Sequence, residues 1–183
     1  MAKIVAAMNM TLDGYCDHTV MTADDEIHDH YTELLRNSGA ALYGRKTYQL
    51  MEFWPTLLEN PSGNKAMDDF AVAMDNIPKI VFSRTMKELD WPTAKLATRE
   101  LEEEVLHLKR EEGKPVLVGS PGLIAQLTRL ALIDEYQLSV HPTVVGSGLT
   151  LFKDITDRVD LKLINTKTFD CGAVTLYYEP AKS

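Results

Sequence analysis

Short apolar runs alternate with segments of helical periodicity along the chain as far as Leu130, and strand-like patterns follow. Buried strands are predicted where the apolar runs lie, at residues 3–8, 40–43, 79–82 and 115–118. Helices are predicted between and after them, at residues 24–37, 45–51, 65–74, 99–112 and 123–130. Two later runs predict a hairpin, at residues 161–169 and 173–178. The pattern indicates an α/β protein with three layers, α/β/α, around a mixed and mostly parallel sheet with an antiparallel C-terminal edge hairpin.

Capping and turn residues mark where several of these elements begin and end. Thr22 with an acid three residues later resembles a capping box, and Thr98 is the predicted cap of the fourth helix. Asp13-Gly14 is a turn signal shortly after the first strand. Residues 53–64 are interpreted as a loop because prolines and a glycine interrupt them.

Length and charge restrict the classes of function. Residues 1–183 are predicted to form a single domain, since chains of this size usually enclose one core. The 27 acidic and 19 basic residues give a formal net charge of −8, which argues against binding to nucleic acid or to an anionic membrane surface. A phosphorylated small ligand held by a few local cations is compatible with this charge.

Cysteine, histidine and hydropathy patterns predict a cytoplasmic protein without a metal site. Cys16 and Cys171 form no CxxC pair, which is typical of reduced thiols. No apolar run has the length of a membrane span, and the N-terminal run is too short for a signal peptide. The five histidines, among them His18, do not fall at metal-ligand spacing. The sequence contains no GxSxG motif, which disfavours a nucleophile-elbow hydrolase.

Two strand-to-helix junctions carry glycine where the strand ends, Gly44-Arg45-Lys46-Thr47 and Gly119-Ser120-Pro121-Gly122. Glycine lets the backbone approach a ligand closely. A helix that begins there directs free N–H groups and the positive end of its dipole toward an anion. Two such junctions in one sheet can hold the diphosphate of a dinucleotide, with Arg45 and Lys46 adding positive charge. The alternatives are an ordinary helix start with exposed cations and a turn with proline in the first helical turn.

A third polar segment, Ser83-Arg84-Thr85, follows the strand at residues 79–82. A guanidinium and two hydroxyls suit a monoester phosphate such as the 2′-phosphate of NADP. An ordinary polar loop is the alternative interpretation.

Taken together, these motifs resemble the dihydrofolate-reductase-like superfamily. More closely, they resemble the reductase domain of the bifunctional riboflavin-biosynthesis deaminase–reductase and its stand-alone bacterial relatives. The resemblance extends over residues 3–179 and rests on the ordered segments 9–15, 43–48, 81–85, 117–123, 134–135, 142–148 and 151–152. It implies a dihydrofolate-reductase-like mixed sheet, NADPH as the cofactor and hydride transfer to a small heterocyclic substrate.

The resemblance also implies which residues contact the cofactor. The adenosine phosphates are assigned to residues 44–47 and 83–85, and the diphosphate and ribose to residues 119–123. The full expected set is Ala7, which meets the nicotinamide amide, together with Gly14, Gly44, Arg45, Lys46, Thr47, Ser83, Arg84, Thr85, Gly119, Ser120, Pro121, Gly122 and Leu123. Ser120 stands where the family often has glycine, and its Cβ is expected to weaken contact with a phosphate.

Substrate and proton handling are assigned to a second group. Asn9, Asp24 and His141 are expected to bind the substrate. His28 and Asp13 are the candidates for proton handling, because a histidine can deliver a proton near neutral pH. A helix-surface histidine and a turn-shaping aspartate are the respective alternatives.

Three hypotheses about function follow. The first is an NADPH-dependent reductase acting on a polar C=N or C=O group. The second is an NADP-binding sensor or regulatory protein without turnover, and the third is an α/β interaction module. Relatives often form homodimers, so a homodimer is predicted through Phe53-Trp54-Pro55 or the C-terminal strands, with burial of those aromatic residues in the core as the alternative.

Overall fold

The computed structural model describes residues 1–17, 19, 21 and 23–181. Its strands are β1 Ile4–Thr11, β2 Ala40–Gly44, β3 Lys79–Phe82, β4 Ala94–Leu96, β5 Val116–Val118, β6 Glu135–His141, β7 Leu161–Thr168 and β8 Val174–Pro180. Its helices are α1 Asp25–Arg36, α2 Arg45–Met51, α3 Thr56–Glu59, α4 Lys65–Asn76, α5 Leu101–Arg110 and α6 Pro121–Arg129.

All of these strands belong to one sheet, with the order β4-β3-β2-β5-β1-β6-β8-β7. The first six strands in this order run parallel to one another. β8 pairs antiparallel with both β6 and β7. The predicted mixed sheet with an antiparallel C-terminal hairpin is therefore confirmed.

Side chains of β1 alternate between two apolar clusters on opposite faces of the sheet, as the two-residue period of a strand requires. Ile4 belongs to a cluster that contains Val105 of α5. Its neighbour Val5 belongs to a cluster that contains Phe70 of α4. Helices thus cover both faces, and the predicted three-layer arrangement is present.

Two predicted helix caps differ from the structure. Asp24 caps α1, and its carboxylate accepts a hydrogen bond from the Ile27 N–H at 2.9 Å. The predicted capping residue Thr22 lies outside the described residues. Glu100, and not Thr98, precedes the first turn of α5, and no side-chain hydrogen bond caps that helix.

The sequence pattern does not predict β4 or α3. β4 has three residues and pairs with β3 at the edge of the sheet, and α3 is a single turn within the predicted loop at residues 53–64. Neither is long enough for a hydrophobic period to show, so their formation depends on the neighbours they pack against.

Candidate active site

A cavity of about 500 Å³ opens at the carboxyl ends of β1, β2 and β5. Ala7, Met8 and Asn9 of β1, Tyr43 of β2 and Gly119 after β5 line it, and α1, α2 and α4 supply much of the remaining wall. Ligands of open α/β sheets bind outside the carboxyl ends of neighbouring strands. The volume also falls in the usual range for small-molecule and cofactor sites.

Aromatic rings form one wall of the cavity. The rings of Trp54 and Phe70 meet edge to face with centroids 4.5 Å apart, and Phe53 lies 5.4 Å from Trp54. The imidazole of His28 packs against Trp54 and Phe70 at 6.0 and 5.9 Å. Sequence reasoning missed this wall because its members come from α1, from the connection after α2 and from α4, and only tertiary packing brings them together.

His28 lies in the first half of α1 and lines the cavity. Its Nδ1 is 2.9 Å from the backbone carbonyl oxygen of Asp24. Because a carbonyl oxygen only accepts, Nδ1 carries a proton and donates it. No described residue forms a hydrogen bond with Nε2, which leaves that nitrogen available to a ligand.

Asn9 and His141 form a hydrogen-bonded pair at the cavity. Nε2 of His141 lies 2.8 Å from Oδ1 of Asn9 and donates to it. His141 is 2% exposed, and burial lowers the pKa of its imidazole although the Asp24 carboxylate opposes that shift. The ring is therefore uncharged near neutral pH. Both residues, which the resemblance assigns to the substrate, line the cavity.

Asp13 and Gly14 do not line the cavity. The Asp13 carboxylate accepts hydrogen bonds from the Thr11 hydroxyl at 2.7 Å and from the Val145 and Gly146 N–H groups at 3.1 and 2.7 Å. The Thr11 hydroxyl and these N–H groups lower the pKa of Asp13, so it is a charged acceptor and a poor source of protons. Gly14 has a φ of +90°, which a tight turn requires. The hydrogen bonds of Asp13 agree with the turn-shaping alternative for that residue, and Gly14 lies in the same turn.

Asp24 is likewise not among the residues that line the cavity. One carboxylate oxygen accepts from the Ile27 N–H at 2.9 Å and the other from the Cys171 N–H at 3.2 Å. Burial by itself would raise the pKa of Asp24, but these hydrogen bonds lower it. Asp24 thus joins the start of α1 to the turn between β7 and β8, and its expected contact with the substrate gains no support from this placement.

The two glycine junctions meet beside the cavity. The backbone N–H of Gly44 donates to Oγ of Ser120 at 2.8 Å, and Ser120 is 3% exposed. Gly44 precedes α2 and Ser120 precedes α6, so the two helices begin side by side. Lys46, Thr47 and Pro121 line the cavity next to this bond. The Gly44 N–H is therefore already used by a side chain of the protein itself.

Glycines of the second junction are required for different reasons. A Cβ at Gly119 would lie 2.8 Å from Cε1 of the Tyr43 ring, so packing against Tyr43 excludes a side chain there. This reason differs from the close approach of a ligand that the sequence suggests. A Cβ at Gly122 would meet no atom within 4 Å, so Gly122 borders open space at the start of α6. Leu123 next to it packs against the core.

The loop after β3 lies next to the first junction. Nη1 of Arg45 donates to Oγ1 of Thr85 at 3.0 Å. Oγ of Ser83 accepts from the Thr85 and Met86 N–H groups at 3.2 and 3.0 Å, so Ser83 shapes its own loop. Arg84 is exposed and forms no hydrogen bond or ion pair with any described residue. Its guanidinium is therefore free to pair with an anion.

The described part of the chain contains neither a cluster of metal-ligating side chains nor a helix suited to span a membrane. Within it, no group of three or more His, Cys, Asp or Glu side chains is arranged to hold a metal ion. No helix there is both long and apolar enough to span a membrane. His18 lies outside the described residues.

Comparison with known proteins agrees with this architecture. Residues 2–175 match the family described as the RibD C-terminal domain. The chain belongs to this family. It is 35% identical over 180 residues to the protein YyaP of Bacillus subtilis strain 168, and the alignment covers 96% of this chain and 94% of YyaP.

Solved structures of low sequence identity share the RibD C-terminal domain fold. A Shewanella sp. PV-4 protein described as a riboflavin biosynthesis protein aligns over 100% of both chains with a TM-score of 0.74 and 17% identity. The Thermotoga maritima diaminohydroxyphosphoribosylaminopyrimidine deaminase/5-amino-6-(5-phosphoribosylamino)uracil reductase aligns with a TM-score of 0.68 and 18% identity. That alignment covers 98% of this chain and 57% of the Thermotoga chain. The predicted resemblance to a riboflavin-type reductase domain is therefore confirmed for family and fold.

Proposed function

We propose that this member of the RibD C-terminal domain family is an NADPH-dependent reductase. It transfers a hydride to a small heterocyclic substrate that carries a polar C=N or C=O group. Family membership supports the reductase class. The Thermotoga protein of the same fold is named as a uracil-compound reductase, and the proposal takes from it the type of reaction only.

The order of the strands is the observation that carries this proposal. Residues 83–85, assigned to the 2′-phosphate, follow β3. Residues 44–47 and 119–123, assigned to the phosphates and ribose, follow β2 and β5, and Ala7, assigned to the nicotinamide, lies on β1. These four strands are neighbours in the order β3-β2-β5-β1. An extended dinucleotide would therefore cross three strand spacings, about 14 Å, along one edge of the sheet.

Residues along this line fit the chemistry of the cofactor. Arg45, Lys46 and Arg84 are exposed cations at the proposed phosphate positions. No side chain caps α6, so its first N–H groups are available to a phosphate. Gly122 leaves open space at the same helix start. The apolar cavity beside Ala7 suits flat rings.

Side chains at the cavity have distinct roles in the proposed reaction. When bound, NADPH supplies a hydride from C4 of its nicotinamide. His28 is the proposed source of the accompanying proton, because Nδ1 is anchored on the Asp24 carbonyl and Nε2 is left for the substrate. Asn9 and His141 hold the polar group of the substrate. The aromatic wall around Trp54 holds the reacting rings together.

Substrate-dependent oxidation of NADPH tests this proposal. The absorbance of NADPH is followed with the protein and a panel of pyrimidine, pteridine and cyclic imine compounds, each with and without a phosphate group. Oxidation that depends on one of these compounds supports the reductase. Binding of NADPH without oxidation by any of them favours the sensor, although the open cavity beside Ala7 and Asn9 argues for a substrate. Absence of NADPH binding contradicts both.

A homodimer stays a prediction. β7 is the outermost strand of the sheet and is exposed along nearly all its length, including Leu163 and Ile164. We propose the C-terminal strands as the contact, because Phe53 and Trp54 line the cavity. Sedimentation velocity measures the oligomeric state of the wild type and of Ile164→Lys, which is expected to weaken the dimer. A monomeric wild type contradicts the predicted homodimer.

A further inference from the structure

We infer that the substrate of this site is an uncharged ring compound, without a phosphate or carboxylate group. It is bound at the Asn9–His141 pair through a neutral group that both accepts and donates a hydrogen bond. The inference rests on the proposed reductase function and names its substrate class. It separates this chain from the Thermotoga reductase, whose named substrate carries a phosphoribosyl group.

Asn9 and His141 both line the cavity, and each keeps one side-chain nitrogen that is not used in the bond between them. The bond between Nε2 of His141 and Oδ1 of Asn9 uses one atom of each side chain. Nδ2 of Asn9 still carries two N–H groups, and Nδ1 of the uncharged imidazole has a free lone pair. Neither atom forms a hydrogen bond with a described residue. A cyclic amide has the matching pattern, because its C=O accepts from Nδ2 while its N–H donates to Nδ1.

Burial holds this donor–acceptor pattern in place. His141 is 2% exposed and its pKa is lowered, so Nδ1 stays an acceptor at neutral pH. A phosphate or carboxylate at this position has acceptor oxygens and no N–H. It would leave Nδ1 of the buried imidazole facing another acceptor, without a donor, which is costly. The pair therefore selects a neutral group.

The remaining lining of the cavity also favours an uncharged ring. Trp54, Phe70, Tyr31 and the adjoining methionines present apolar and aromatic surface. Among the lining residues in the described part of the chain, Lys46 is the one Lys, Arg, Asp or Glu. It lies on α2 at the proposed phosphate end of the cofactor. A charged substrate group would thus lack a partner deep in the cavity.

Uridine and uridine 5′-monophosphate form the test pair, because they share a cyclic amide ring and differ by one phosphate. Their dissociation constants are measured by NMR titration, with and without saturating NADP⁺. Uridine is expected to bind at least about tenfold more tightly than the monophosphate. The substitutions Asn9→Ala and His141→Gln are each expected to raise the dissociation constant for uridine by a similar factor. Asn76→Ala, at the exposed end of α4, serves as the matched control and keeps wild-type affinity.

A variant with an added positive charge tests whether the absence of a cation is what disfavours a phosphate group. Leu149→Arg places a cation at the exposed rim of the cavity and is expected to raise the affinity of the monophosphate relative to uridine. Equal or tighter binding of the monophosphate by the wild type overturns the inference, and so does binding of neither compound. NADPH affinity on the same proteins separates the two levels of the proposal. If the wild type does not bind NADPH, the reductase function is contradicted. If it binds NADPH but does not prefer uridine, only the inferred substrate class is wrong.

Discussion

The backbone N–H of Gly44 and the hydroxyl of Ser120 form a 2.8 Å hydrogen bond between residues 76 positions apart. The bond joins the carboxyl ends of β2 and β5 and brings the starts of α2 and α6 together. It also uses the Gly44 N–H, which is then not available to a ligand. In the proposed cofactor complex, the first turn of α6 and the nearby cations would therefore supply most of the contacts to the phosphates.

Loss of this bond is expected to destabilise the protein. Ser120→Ala leaves the Gly44 N–H without its acceptor in a partly buried position, which lowers the free energy of unfolding by about 1–2 kcal/mol. Urea denaturation measures the change. Ser147→Ala, in an exposed loop, is the control and is expected to change it by less than about 0.5 kcal/mol. Equal stability of the two variants would show that the bond contributes nothing.

Gly119 and Gly122 provide a matched pair that separates packing from binding. Gly119→Ala forces a Cβ to 2.8 Å from Cε1 of Tyr43, a buried ring, and is expected to cost about 1–3 kcal/mol of stability. In Gly122→Ala the new Cβ enters open space at the start of α6. The free energy of unfolding is therefore expected to be unchanged or to rise by about 0.5–1 kcal/mol.

The effect of Gly122→Ala on the cofactor is the second half of this prediction. Its Cβ fills space that the proposal gives to a phosphate, so the dissociation constant for NADPH is expected to rise while thermal stability is kept. Wild-type affinity for NADPH in Gly122→Ala contradicts a phosphate at the start of α6.

His28 is expected to affect turnover and not cofactor binding. His28→Phe keeps a ring against Trp54 and Phe70 but removes both nitrogens. With a substrate identified by NADPH oxidation, kcat is expected to fall by about 10²–10⁴-fold and NADPH affinity to stay unchanged. His107→Phe on α5 is the control. Full turnover in His28→Phe assigns the proton to another donor.

His30 is expected to make stability depend on acid pH. Its ring lies 5.3 Å from Tyr31 and 5.5 Å from Phe169, and burial followed by the charge of Lys167 lowers its pKa from 6.5 to about 4. Between these values the unfolded chain binds more protons than the folded protein. The stabilisation is therefore complete above pH 6.5 and is lost as pH falls through 4.

Comparison with His30→Leu isolates this contribution. As pH falls from 6.5 toward 4, the wild type is expected to lose more free energy of unfolding than the variant does. Denaturant titrations across this range measure it. A difference that is independent of pH would mean that the imidazole is not buried in its neutral form.

Local sequence signals predict the junctions well, because a short apolar run and the glycine after it mark the strand and its end with adjacent residues. β2 ends at Gly44 and β5 ends at Val118, directly before Gly119, as the pattern predicts. Sequence cannot show why Gly119 is needed, since the reason is the Tyr43 ring on the neighbouring strand. Nor does it show that Ser120 accepts from Gly44.

The cavity depends on contacts between distant parts of the chain. Asn9 and His141 are 132 positions apart and meet because β1 and β6 are neighbours in the sheet. From the sequence alone, Phe53 and Trp54 fit a subunit interface and a core equally well. Their packing near Phe70 is seen only in the folded protein. Local patterns therefore predict the elements and the glycine junctions between them, while the contacts that form the cavity require the tertiary structure.

Selective binding of NADPH over NADH tests the central claim most directly. Fluorescence titrations compare wild type, Arg84→Ala and the control Arg110→Ala, which removes an exposed cation at the end of α5. The wild type and the control are expected to bind NADPH at least about tenfold more tightly than NADH, since a charge-assisted contact with the 2′-phosphate is worth that much. Arg84→Ala is expected to lose this preference. Failure of the wild type to bind either nucleotide would contradict the reductase and leave the glycine junctions as ordinary turns.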